Sequence, residues 1–83
     1  MSKKGFEIFE QGIRYVIDNE NELRKLYGGN IYLAIYGNEG VIGSDKSESL
    51  LFRKLGYRDG ILISTLDDII AKADKLFEEE IVS

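Results

Sequence analysis

Glycines at 37, 40 and 43 stand between a strand-like and a helix-like segment, a placement that could cradle a phosphate against backbone N–H groups. The dinucleotide fingerprint has a different spacing, and a Walker loop needs Lys and then Ser or Thr after its last Gly. Here Gly43 is followed by Ser44 and Asp45. A hairpin tip explains Gly37 and Gly40 without any ligand. Asp45, Ser47 and Ser49 alternate like the first ligands of a calcium loop, yet Leu50 and Gly56 fall where that loop needs Gly and Glu. Helix capping accounts for the same residues. Asp67 with Asp68, and Glu78 with Glu79 and Glu80, suggest carboxylate sites only on paper. Neighbours on a helix project about 100° apart, so neither run converges on one point.

The chain has no Cys and no His. Thiolate metal sites, disulfides and thiol nucleophiles are excluded, and so is the commonest general base near neutral pH. Acid–base work would fall to Asp, Glu, Lys or Tyr, which need large pKa shifts that a thin core rarely supplies. The expectation is a non-enzymatic protein with no catalytic, cofactor-binding or metal-ligating residues. The formal net charge of −4 also disfavours nucleic acid as a partner, because that binding runs on phosphate neutralisation. No run of signal-peptide or membrane-spanning length is present, so a cytoplasmic protein without membrane contact is expected.

Two surfaces remain as candidates. Tyr32 and Tyr36 share a strand face with Ala34, and Ile61, Leu62 and Ile63 form an apolar strand with neither Pro nor charge. An exposed Tyr-Ala-Tyr face would offer large contact area with polar tips, although packing under a helix is an equal reading. A bare strand at a sheet edge invites pairing with another chain. These features predict a protein–protein interaction module or small regulator/adaptor that binds a protein partner, forms a homodimer, or both. The alternative is a nucleic-acid-contacting regulator using Arg53, Lys54, Tyr57 and Arg58, which interleave cations with an aromatic. Cations at a helix C-terminus are also what the helix dipole favours.

The elements that would position these residues follow from periodicity. The 83 residues suit one α+β domain, with 1–5 and 79–83 frayed. Phe6, Phe9, Ile13, Val16 and Ile17 keep helical spacing, with Gly12 inside the stripe. Asn19 and Glu22 resemble a capping box, so a second short helix with Leu23, Leu26 and Tyr27 on its apolar edge begins there or the first helix continues. Gly28 and Gly29 end it. Residues 31–36 read as the central strand, being apolar on both faces, and 41–43 return after the hairpin. Asp45 with Glu48 suggests a third helix over 46–55 that buries Leu51, Phe52 and Leu55. A third strand at 61–64 leads through Thr65 and Asp68, a further cap, into a last helix carrying Leu66, Ile69, Ile70, Ala73, Leu76 and Phe77. The order α(α)ββαβα predicts a three-stranded sheet of order 2-1-3 covered by helices.

Leu26-Tyr27-Gly28-Gly29-Asn30, then 31–36, 41–43 and Leu50-Leu51, carry a resemblance to a family of short archaeal and bacterial proteins of unknown function. Its members have a helix, a Tyr-Pro-Gly-Lys turn, an aliphatic hairpin and a Leu-rich helix before a final strand. The likeness covers about residues 26–65, with Gly28 in place of the Pro and Asn30 in place of the Lys. It implies the hairpin–helix–strand order and no functional residue.

Overall fold

The computed structural model describes residues 2–82, with side chains described as far as Lys75. Its elements are α1 (Lys3–Asp18), α2 (Glu20–Tyr27), β1 (Tyr32–Ile35), a 3-10 turn (Gly37–Glu39), β2 (Val41–Asp45), α3 (Glu48–Leu55), β3 (Leu62–Thr65) and α4 (Leu66–Val82). The sheet has the order β2-β1-β3, and β1 is antiparallel to both neighbours. The α+β order expected from periodicity is therefore the observed one. The apolar run of β1 sits centrally because both of its faces are covered: Leu33, Ala34 and Ile35 are fully buried.

One face carries the main core. Ile13 and Val16 of α1, Leu23 of α2, and Leu66, Ile69 and Ala73 of α4 close over Leu33, Ile35 and Leu62. Gly12 marks a close approach: a methyl there would lie 3.3 Å from Ile35 Cγ2 and 3.6 Å from the Gly37 nitrogen. Four residues expected on apolar helix edges are instead exposed, namely Phe6, Ile17, Leu26 and Phe52. Leu76 and Phe77 lie outside the residues whose side chains are described. The other face is covered by α3. A methyl on Gly43 would lie 3.1 Å from Leu51 and 3.0 Å from Leu55, and Gly43 pairs with Ala34.

The helix ends correct several expectations. Asn19 separates α1 from α2 but forms no capping box; its side-chain amide donates to the Tyr15 carbonyl (2.9 Å), tying off the end of α1. The cap of α3 is Ser47, two residues later than expected, and Asp45 instead accepts from the Ser47 amide at 3.0 Å. Thr65 does cap α4, its hydroxyl accepting from the Asp68 amide at 3.3 Å. The hairpin tip is a 3-10 turn with Gly37 and Gly40 at φ +54° and +77°, and the extra residue in the ladder is Ile42. The α4 backbone runs through 79–82, while Ser83 and the side chains of the acidic run lie outside the described residues.

Residues 1–5 were expected to fray, but α1 begins at Lys3 with Ser2 as its cap. The Ser2 hydroxyl accepts from the Gly5 amide at 2.9 Å and donates to Asp59, which also accepts from the Ser2 amide at 3.3 Å. Asp59 is held below the ordinary carboxylate range, first by the Ser2 hydroxyl and further by the Ser2 amide and the Tyr57 hydroxyl. A carboxyl lowered by folding stabilises the fold above its unfolded pKa, and that contribution is lost as pH falls through the folded value. Amide exchange at Gly5 and Phe6, corrected for intrinsic rate, should therefore accelerate relative to β1 once the pH drops below about 4. In Asp59→Asn the acceleration should be present at every pH. Exchange at these amides that tracks β1 across the acid range would disprove the Asp59 tether.

Candidate functional site

Leu51 and Leu55 point α3 at the sheet, so residues to either side of that line form two flanks. Lys54 lies on one flank and its ammonium reaches Asp45 of β2 at 3.4 Å. Phe52 is about 200° round the helix from Lys54, so it lies on the opposite flank, toward β3. It was expected in the core but is 45% exposed. Gly56 stops α3 at φ +71°, and Tyr57 just beyond it is 67% exposed. Arg58 then lays its guanidinium over the Tyr36 ring, 5.4 Å from the centroid. Arg53 projects from the outer side of α3.

The two candidate sets named from sequence thus meet at one end of the molecule. Tyr36, from the partner-binding set, is stacked under Arg58, from the basic set. Lys54 is drawn away to the β2 side. Of the two readings of the Tyr-Ala-Tyr face, the packed one holds: Ala34 is 0% exposed beneath α3, and Tyr32 and Tyr36 are half-buried at its margins. Leu62 is corrected too. It is 4% exposed, belongs to the main core, and offers no side chain to a partner. Ile61 and Ile63 have the opposite parity and are half-buried on the α3 face. Phe52, Ile61 and Ile63 therefore lie on the same side of the sheet.

Backbone parity decides what the outer side of β3 offers. The Tyr36 N–H donates to the Gly40 carbonyl at 3.1 Å, on the β2 side of β1. Successive residues of a strand aim their N–H and C=O groups at alternate neighbours. Leu33 and Ile35 therefore bond to β3, in pairs with Ser64 and Leu62. The N–H and C=O of Ile63 then point outward, away from the sheet. The Ile61 N–H, also outward, is taken by the Arg58 carbonyl at 3.0 Å.

A depression of about 190 Å³ lies among Glu7, Glu10, Gln11 and Arg14, where Arg14 pairs with Glu10 at 3.2 Å. Another of about 220 Å³ follows residues 17–22. Asp45, like Asp59, is held below the ordinary carboxylate range, first by the Ser47 amide and then by Lys54. A carboxyl acting as a general acid at neutral pH must move the other way. Among the described residues, no group of three or more acidic side chains is placed to hold a metal ion, and no helix is long and apolar enough to cross a membrane. Comparison with protein-family models, with curated proteins and with solved structures finds no match.

The sequence offered one signal for the Phe52 flank. Leu51 and Leu55 are four apart and fix the buried line of α3, which leaves Phe52 a quarter-turn off it. Nothing local marked Arg58 as the partner of Tyr36, because the two are brought together by the crossover from β2 to β3.

Proposed function

We propose that the protein is a non-enzymatic interaction module, a small adaptor or regulator that binds a protein partner at the end of α3. The observation that carries this reading is the exposure of Phe52 and Tyr57 beside the stacked pair Arg58–Tyr36. Aromatic and Arg side chains held together on a rigid frame are the typical anchors of protein interfaces. The experiment is affinity purification of the tagged chain from its own cell, beside a Phe52→Ser/Tyr57→Ser double variant. These are surface positions, so the fold should lose no more than about 1 kcal/mol. Recovery of a specific partner should fall about tenfold or more, equivalent to about 1.4 kcal/mol of binding energy. Equal recovery by both chains would refute this surface as the binding site.

The same cations and aromatics support the nucleic-acid reading, with the exposed Tyr57 ring available to stack a base and Arg53 and Arg58 near it. The net charge of −4 and the engagement of Lys54 by Asp45 weigh against it. Retention on single-stranded DNA at about 50 mM salt, where phosphate contacts are strongest, would replace the protein partner with a nucleic acid.

A further inference from the structure

We infer that β3 pairs antiparallel with β3 of a second copy, joining two three-stranded sheets into one of six strands. This goes beyond the interaction-module reading, since it rests on the backbone of the sheet edge, although Phe52 and Arg58 border both surfaces. The two edges of the sheet are treated differently. β2 is broken by the extra residue Ile42 and carries the Asp45–Lys54 ion pair on its rim. Bulges and charges of this kind are how natural sheets protect an edge. β3, with the sequence Leu-Ile-Ser-Thr, has neither, and the Ile63 N–H and C=O point away from β1.

The hydrogen-bonding pattern of that edge is self-complementary. A two-fold axis at Ile63 lets the two Ile63 residues exchange both of their backbone bonds. Two residues along, Ile61 of one copy faces Thr65 of the other. The Ile61 carbonyl and the Thr65 N–H can meet there. The Ile61 N–H is already taken by the Arg58 carbonyl, and the Thr65 carbonyl, being that of the residue that caps α4, is directed to the first turn of that helix. The ladder would hold four bonds and end where the free groups end. Ile61 and Ile63 would continue the α3 face of the sheet across the axis, with Phe52 of each copy overhanging them.

Charge fits the same arrangement. Arg58 lies at the start of β3, whereas Asp68 follows its end and Glu48 lies at the matching end of the α3 flank toward β3. Antiparallel pairing brings the start of one strand to the end of the other, so Arg58 of each copy approaches Glu48 and Asp68 of its mate. Parallel pairing would set like charges together. The edge is short, so the dimer should form on the order of tens of micromolar rather than nanomolar.

The test is light scattering of the whole chain from about 5 to 200 μM, with Ile63→Pro, Ile63→Lys, Arg58→Glu and the swap Arg58→Glu/Glu48→Arg. The native chain should approach twice its 9.4 kDa mass at the upper end. Ile63→Pro removes only an outward N–H, which an edge strand tolerates, and Ile63→Lys places a charge on the edge. Both should stay monomeric with thermal melts of dilute samples preserved. Arg58→Glu should weaken dimerisation about tenfold, and the swap should restore it. A native chain that stays monomeric at 200 μM overturns the inference, while the partner recovery tested above would be untouched. A dimer indifferent to both Ile63 changes, or a swap that fails to restore, also overturns it.

Discussion

Gly60→Ala should cost about 3 kcal/mol of stability. Two independent effects meet at the position. Its backbone lies at φ +92°, where an L side chain is strained by about 1 kcal/mol or more. The added carbon would also overlap the Gly5 carbonyl and stand 2.9 Å from Ile8 Cβ. Neither obstacle is a flexible side-chain tip, so the start of α1 would have to move off the turn. Gly28 and Gly56 provide the control. They have φ +74° and +71° with nothing within 4 Å of an added carbon, so Ala there should cost the backbone strain alone, about 2 kcal/mol. Urea denaturation of the three variants measures the difference. A domain of this size holds about 4–12 kcal/mol in total, so Gly60→Ala should show a much lower midpoint. Equal losses at 28, 56 and 60 would mean that φ alone matters and that α1 does not press on the turn.

That contact explains where reading the sequence succeeded and where it stopped. The order of elements and of strands was legible because it rests on local signals: the helical stripe from Phe9 to Val16, the β-branched run 31–36, and the glycines that follow α2, β1 and α3. Length then left few ways to connect two short strands around a central one. The start of α1 was not legible. Its anchor is Asp59, 57 residues from Ser2, and an Asp after an Arg in a loop announces no such partner. The capping residues failed for a related reason. Asn19 and Asp45 are both able to cap the helix that follows, but each found a stronger local acceptor or donor, the Tyr15 carbonyl and the Ser47 amide. At the candidate site, residue types pointed to the right neighbourhood, with Tyr36 and Arg58 both named. Their stacking depends on the path from β2 to β3, which no spacing rule encodes.

Parity on β3 gives the other large effect, and it separates a core position from an edge position one residue away. Leu62→Lys should destabilise the fold by about 4 kcal/mol or more. The Leu62 side chain lies inside the cluster formed by Val16, Ile35, Leu66 and Ile69, where burying it contributes about 2 kcal/mol. An ammonium in its place has no carboxylate within that cluster, so it must either lose its proton or open the core to water. Ile63→Lys changes the same amount of apolar surface on paper, but its side chain is only half-buried at the sheet edge, so the ammonium can reach solvent. Its cost should be about 1 kcal/mol, a fall in melting temperature of about 4–8 °C. Circular dichroism melts at about 5 μM, below the expected dimer range, compare the two without interference from assembly. Ile63→Lys should melt cooperatively, and Leu62→Lys should be largely unfolded at 25 °C. Similar melts for both would mean that β3 is not held in the observed register against β1, since a slip of one residue exchanges the two faces. The outward Ile63 N–H, and with it the pairing of two copies through this edge, depends on that register.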